Sequence, residues 1–441
     1  MPSSASSRMP AWLNLLLLGI QHVMVMYTGA VAVPLVLGTA LHMDKPTIAL
    51  LINADLFCCG VVTLIQTIGF WKVGIRLPVM MGVTFVSMGP MIAIGSTPGE
   101  GLRYIFGAAI IAGIFGFLVA PLVGRLRRLF PPIVTGCTII CVGFSLMGVA
   151  VTWAAGGAGN PDAGSLSYLA IAALVMVMVV MLIKYTRGFI NNISILLGLV
   201  VGYLVSSAMG LVSLDGIGSE PAMRLVMPFN FGTPIFSLWP AVAMCVVMLV
   251  SFIESTGMYL ALGEIIDKDV NRRELVRGYR ADGLGTIFGG IFNTFPYTSF
   301  AQNVGLVAVT GVRSRWVCAT AGGLLVLLSL FPQLAFVVAS VPSFVIGGVG
   351  IIMFGMVAAN GIKILGQENL NDTRNLYIIS ISLGLGFIPV VYPHFFDQFP
   401  SELAPILKSP ILLTAASAIL LTLFFQQHKI AHQPDAGKSQ E

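Results

Sequence analysis

Apolar stretches of membrane-spanning length follow one another along almost the whole chain. Each ends at a charged or Gly/Pro-rich break. A helix crossing the hydrocarbon core needs about 20 mostly apolar residues, and on that measure the pattern predicts fourteen spans. The first seven cover 12–38, 47–70, 78–95, 103–123, 130–152, 167–184 and 189–212. The second seven cover 235–263, 277–294, 296–311, 315–331, 333–360, 374–392 and 408–427. Two are short and interrupted: Pro78 and Pro90 break the third, Pro296 and Gly305 the tenth. The short alternating segments of a β-barrel are absent from the pattern, so an all-α polytopic membrane protein is expected.

Composition narrows the class further. Of 441 residues, 57% are apolar and 9% charged, against about 25% charged in soluble domains. Soluble domains of this total length would need more polar surface, and a disordered chain would be poorer in large apolar residues. The net charge of +5 is spread over loop ends, without the basic tract and interleaved aromatics of a nucleic-acid binder. Six cysteines (Cys58, Cys59, Cys137, Cys141, Cys245, Cys318) fall in apolar runs, with no C-x-x-C pair and no His at zinc spacing. No metal or cofactor is therefore expected. The first apolar run outlasts the h-region of a signal peptide, and no small-residue cleavage site follows it.

Charge also tests the span count. With both termini cytoplasmic, nineteen of the 23 Lys and Arg lie on the cytoplasmic side, and only Lys45, Arg103, Arg224 and Lys408 lie opposite. That is the skew of the positive-inside rule. Omitting one interrupted span would flip every loop beyond it, so both are expected to cross.

The two halves correspond. Pro132-Ile-Val-Thr-Gly136 opens span five, and Pro342-Ser-Phe-Val-Ile-Gly347 lies in span twelve, 210 residues later. Seven spans per half is an odd number, so the halves have opposite orientations, as in many secondary transporters. The interrupted spans three and ten are partners in this repeat. About six extended residues at 3.3 Å each and a ten-residue half-helix of roughly 15 Å together cover a core of about 30 Å. Extended backbone at that depth must be buried in protein or line a cavity. Pairing the pieces near Val83-Thr84-Phe85 and Tyr297-Thr298-Ser299 would satisfy it. The half-helix N-termini would then face mid-membrane, where their free N–H groups favour an electronegative ligand.

Ionisable and amide residues inside spans are few, and each is informative. Glu254 sits mid-span in Phe252-Ile253-Glu254-Ser255-Thr256-Gly257. A carboxyl held out of water suits a proton carrier, or an acceptor for a ligand N–H; the alternative is a helix-to-helix hydrogen bond. Asp282, in Arg280-Ala281-Asp282-Gly283, is placed near the start of span nine, as a functional group or an interfacial cap. Asp55 in span two reads as a structural partner. His22 follows Gln21 in span one, the repeat partner of the span holding Glu254, and is either a satisfied core residue or part of a relay. Gln302 and Asn303 stand where span ten turns from extended to helical. Adjacent amides there could read a flat heterocycle, as amides read purine edges, or could cap the half-helix.

At this point a family resemblance emerges. Phe295-Pro-Tyr-Thr-Ser-Phe-Ala-Gln302-Asn303-Val-Gly305-Leu-Val-Ala-Val-Thr310-Gly311-Val-Arg-Ser-Arg315 resembles the signature of the nucleobase–ascorbate transporters (nucleobase:cation symporter-2). Gln21-His22, Phe252-Ile-Glu254-Ser and Ala281-Asp282-Gly283 fit as well. The resemblance covers nearly the whole chain. It implies a core domain of spans 1–4 and 8–11 (residues 1–123 and 226–331) and a gate domain of spans 5–7 and 12–14 (124–225 and 332–428), followed by a cytoplasmic tail, 429–441. It implies a homodimer in the inner (plasma) membrane that imports a purine nucleobase with protons, through an elevator-like movement of the core. The proton is the coupling ion, and no other cofactor is implied. Carried over residue by residue, Glu254 and Gln302 would hold the purine. Phe85 would stack on it or offer its backbone, and Thr84 and the backbone of Ala301 would lie close. Asn303 would shape the site, Asp282 would serve coupling or structure, and His22 would tune affinity.

Gln302 and the motifs Gln-Asn-Val-Gly-Leu-Val and Val83-Thr84-Phe85 look like those of bacterial urate permeases. Ala301, Gly311 and Ala243 depart from that pattern, so urate, xanthine or both remain open. An anion transporter or channel of the same inverted-repeat fold is the alternative, which a buried Glu254 disfavours. A membrane enzyme is excluded for want of clustered carboxylates or a nucleophile with its base.

Overall fold

The protein is described by a computed structural model covering residues 11–96, 101–123, 131–157, 160–213, 218, 221–400 and 407–431. Arg8, Arg125, Arg127, Arg128 and Lys438, used above in the charge reading, and the tail beyond Ala431 lie outside the described residues. The first half contains α1 (Ala11–Ala40), α2 (Lys45–Ile68), β1 (Met81–Val83), a 3-10 turn (Phe85–Ser87), α3 (Met88–Gly95), α4 (Gly101–Val123), α5 (Pro132–Ala154), α6 (Leu166–Tyr185), α7 (Phe189–Asn192) and α8 (Ser194–Ala208). The second half contains α9 (Leu238–Ile265), α10 (Arg272–Ile291), β2 (Tyr297–Ser299), α11 (Ala301–Thr310), α12 (Arg315–Leu328), α13 (Pro332–Ala339), α14 (Ser343–Leu365), α15 (Thr373–Val391) and α16 (Pro410–Ala431). Eight of the described helices are long and apolar enough to cross a membrane, or nine if α12 and α13, bent 86° from each other, count as one. The chain is a multi-pass membrane protein.

Sequence chemistry sets the helix ends. α2 has Pro in its first turn and stops at Gly69, whose φ of 67° suits glycine. α10 opens with a capping box: Asn271 accepts from the backbone of Arg273 and Glu274, and the Glu274 carboxylate accepts from Asn271 N. The expected twelfth span, 333–360, is broken. α13 ends at Ser340, and Pro342, which has no N–H to continue a helix, stands as N-cap of α14.

Helix packing falls into matched pairs. α2 packs on α12 as α10 packs on α4, and α1 on α12 as α9 on α4. α5 and α14 pack on each other; α6 lies against α8 as α15 lies against α16. The same helix pairings thus recur in the two halves. Small residues allow the close approaches on which helix association in a bilayer depends. A methyl group added at Gly60 of α2 would lie 2.5 Å from the Gly322 carbonyl oxygen of α12. One added at Gly283 of α10 would lie 2.9 Å from that of Gly113 in α4.

The two strands pair antiparallel at the centre, with Met81 opposite Ser299, Gly82 opposite Thr298 and Val83 opposite Tyr297. The second strand is where the sequence pattern places it. The first begins two residues earlier than expected and ends at Val83: Thr84 N still donates to the Pro296 carbonyl at 3.0 Å, but its hydroxyl caps the 3-10 turn, accepting from Val86 N, and Phe85 lies within that turn. The hydroxyl can satisfy a free N–H at the turn, so extension stops there.

Candidate functional site

Two threonines tether the strand pair. The N–H of Met81, first residue of β1, donates to Thr63 Oγ1 of α2 at 2.9 Å. The N–H of Tyr297, first residue of β2, donates to Thr286 Oγ1 of α10 at 3.1 Å. Both threonines are fully buried. Each lies three residues after a close-packing glycine, in Gly60-Val-Val-Thr63 and Gly283-Leu-Gly-Thr286. A recurring Gly-x-x-Thr, 223 residues apart, thus holds each strand in its half. Sequence reading missed this pair; that recurrence was the available signal.

α9 joins the strands from a third direction. Ser255 Oγ shares a 2.9 Å hydrogen bond with Thr298 Oγ1 and accepts from Ser299 N at 3.4 Å. One residue earlier, half-buried Glu254 accepts from Thr84 Oγ1 at 3.3 Å. The carboxyl therefore meets the N-terminus of the 3-10 turn, with no other hydrogen-bond donor among the described residues. Phe85 is buried and lies edge-on to Phe354 of α14, centroids 5.9 Å apart.

Across the ladder, α11 begins directly after β2. Its N-cap is Phe300, without side-chain capping, so Gln302 and Asn303 do not cap the half-helix. Instead Asn303 Nδ2 donates to both the backbone carbonyl and Nδ1 of His22, each at 3.0 Å. The carbonyl can only accept, which fixes the amide orientation. Nδ1 is then an acceptor, and the neutral ring carries its proton on Nε2. Ala301 and Gln302 are half-buried at the start of α11, and the Gln302 amide has no hydrogen-bond partner among the described residues.

Asp282 is fully buried midway along α10, not near its start, because the capping box opens that helix ten residues earlier. Its Oδ1 accepts from Tyr259 OH at 2.8 Å and Gln66 Nε2 at 2.9 Å. Gln66 also accepts from Ile75 N through Oε1. Asp282 is thus linked to α2 and α9, and no hydrogen bond joins it to Glu254. Asp55, also fully buried, accepts at Oδ1 from Tyr297 OH (2.6 Å), Thr294 Oγ1 (3.1 Å) and Cys59 Sγ (3.6 Å). The structural pairing expected of it is present. Gln66 and Tyr259 were not singled out in the sequence, and Ser255 and Tyr297 were named there only for their place in a motif and a strand, since one polar side chain in an apolar run reveals no partner.

Short helices directly behind a buried strand pair, within a multi-pass helical bundle, define the fold. The transmembrane domain of the cyanobacterial bicarbonate transporter BicA shares this fold, with a TM-score of 0.59 at 15% identity over 93% of this chain and 97% of that one. So does SLC26A9, at 0.65 and 13% over 94% of this chain and 67% of that one. The sequence supplies the family. Residues 13–395 match the Xan_ur_permease model, described as "Permease family". The uric acid transporter UacT of Escherichia coli (strain K12) is 49% identical over 427 residues, covering 96% of this chain and 88% of the relative. The xanthine permease of Bacillus subtilis (strain 168) is 40% identical over 425 residues, covering 96% and 97%. The uric acid permease PucJ of the same organism is 40% identical over 413 residues, covering 92% of each. The chain belongs to this permease family, the nucleobase:cation symporter-2 family whose signature it carries, and is not an enzyme.

Proposed function

We propose that this protein is a proton-coupled symporter that imports a purine nucleobase, urate and/or xanthine, across the plasma membrane. The observation that carries the reading is the Glu254 carboxyl, half-buried beside the strand pair with a single hydroxyl contact from Thr84. The uric acid and xanthine permeases among its relatives support the substrate class. Urate and xanthine are planar rings edged with donors and acceptors. Glu254 accepts a ring N–H and Gln302 meets the opposite polar edge. Phe85 packs on the ring face, and Thr84 and the backbone at Ala301 close the perimeter. Asn303 stands behind the site and holds His22 in one tautomer.

Glu254 binds the proton together with the base and releases both on the far side. Asp282, tied to two neighbouring helices, transmits coupling or keeps α10 in place. The site travels with α1–α4 and α9–α12, the core, against a gate of α5–α8 and α13–α16. Fourteen crossings, cytoplasmic termini and a homodimer complete the reading. Separate packing of α5 with α14 and of α2 with α12 supports the division. An inorganic-anion reading fares worse: neither Glu254 nor Gln302 is paired with a Lys or Arg among the described residues, and Glu254 admits an anionic purine only in its protonated form.

The deciding experiment is uptake of labelled urate, xanthine, guanine, hypoxanthine and uracil in a strain lacking purine permeases, with and without a protonophore. Accumulation of urate or xanthine that collapses with the protonophore is expected. Failure of every base to accumulate would overturn the reading.

A further inference from the structure

A second constellation lies at the basic end of α10, away from the strand crossing. After α2 the chain makes a tight hairpin in which Phe70 and Val73 exchange backbone hydrogen bonds of 3.0 and 2.9 Å. Trp71 and Lys72 form its tip. Trp71 has a φ of 43°, a left-handed conformation uncommon for a bulky residue, and is 77% exposed. Strain of this kind persists only where the surroundings enforce it. Here the hairpin is locked to α10 by Gly74 N donating to the Arg277 carbonyl at 2.9 Å. The Lys72 ammonium sits 5.2 Å from the centre of the Trp71 ring.

Hairpin and helix enclose an open cleft of about 830 Å³ whose eight lining residues include Trp71, Lys72, Arg272, Arg273, Arg277 and Arg280, with Asn271 and Val276 completing it. Five of the eight are cationic. The acid beside them, Glu274, is already held by Lys268 at 2.7 Å and by the helix cap. Nε and Nη2 of Arg277 and Nε of Arg280 are buried without a hydrogen-bond partner among the described residues. Buried guanidinium N–H groups call for an acceptor, and a planar fork suits phosphate oxygens.

The surroundings select the kind of phosphate. The Arg280 guanidinium lies 5.8 Å from the centre of the Phe117 ring on α4. Along that helix Ile114, Leu118 and Leu122, one turn apart, are 46%, 70% and 49% exposed. A cationic cleft therefore opens beside an apolar helix face and carries an exposed tryptophan, a residue type that anchors in membrane interfaces. We propose that this cleft binds the headgroup of an anionic phospholipid, its acyl chains lying along the exposed face of α4. Basic pockets between spanning helices bind anionic headgroups by this chemistry.

The test uses the full chain purified in detergent. Its melting temperature is measured with dioleoyl-phosphatidylglycerol, with dioleoyl-phosphatidylcholine and with inorganic phosphate. Phosphatidylglycerol is expected to raise the melting temperature by several degrees, while the other two leave it unchanged. R272Q/R273Q removes exposed charges and spares the packing; it is expected to lose most of that rise. R187Q/R374Q, equal in charge loss but elsewhere, keeps it. R277Q/R280Q is expected to abolish the rise, and if that variant does not fold, the exposed pair decides. An equal rise with phosphatidylcholine overturns the proposal, as does a rise of the same size in R272Q/R273Q. An equal response to inorganic phosphate also overturns it, by assigning the cleft to a soluble anion.

Discussion

Asp55 and Glu254 are neighbours through one rung of the strand pair, yet they are held in opposite ways. Val83 pairs with Tyr297; Asp55 takes the Tyr297 hydroxyl, and Glu254 takes that of Thr84, the residue after Val83. Asp55 collects three donors on one oxygen. Glu254 has a single contact at 3.3 Å. A carboxyl whose partners are protein groups fixes architecture, because moving it strands those groups. A carboxyl with capacity to spare can exchange a protein contact for a ligand or a proton. Asp55 also keeps a partnerless oxygen, Oδ2, but it is fully enclosed, whereas Glu254 is half-buried; access to the spare capacity separates the two roles.

The largest test of this contrast is Glu254→Gln, which keeps shape and hydrogen bonding but carries no proton. Accumulation of the purine should vanish while the protein remains in the membrane with a near-normal melting temperature. Normal concentrative uptake by that variant would remove Glu254 from its assigned role. Gln302→Ala comes next. Leaving the ligand's polar edge unpaired costs about 1–3 kcal/mol, so the KM for uptake should rise roughly 5- to 150-fold at 1.4 kcal/mol per tenfold. An unchanged KM would argue against contact.

Asp55→Leu probes the other carboxyl. It strands the Tyr297 and Thr294 hydroxyls and should lower stability by about 1–3 kcal/mol, seen as a reduced melting temperature and reduced protein level. Asp55→Asn keeps an acceptor and should retain uptake. Loss of accumulation by a stable Asp55→Asn protein would erase the distinction between the two carboxyls. The smallest effects belong to Thr63→Val and Thr286→Val. Each frees one strand N–H, and polar contacts within membranes average about 0.6 kcal/mol. The two variants should lose similar amounts of thermal stability, and strongly unequal losses would argue that the tethers are not equivalent.

Much of the fold was legible because a bilayer imposes simple rules. Apolar length marked the eight or nine helices long enough to cross a membrane, and the prolines around residues 78–90 and at 296 marked the short segments that carry the strand pair. Pro342, however, was read as a feature inside one long helix, although it separates two; a proline shows that a helix is interrupted but not where the pieces go. Asp282 was misplaced for a related reason. The polar first turns of α10, Arg272 to Arg280, looked like a loop, whereas Asn271 and Glu274 cap a helix that already starts there. For the site, Glu254, Gln302 and His22 stood out as rare polar groups in apolar runs.

The sequence by itself determined the membrane environment and the family, and it singled out the few polar residues inside apolar runs as site candidates. These follow from composition, length and local motif, which need no partner to be meaningful. Only the tertiary structure decided which polar groups spend their capacity on one another. Thr63 with Met81, Gln66 with Asp282, Asp55 with Tyr297 and His22 with Asn303 are pairs separated by between 18 and 281 residues. Hydrogen bonds act over about 3 Å, and no sequence spacing encodes a distance of that kind between separate helices.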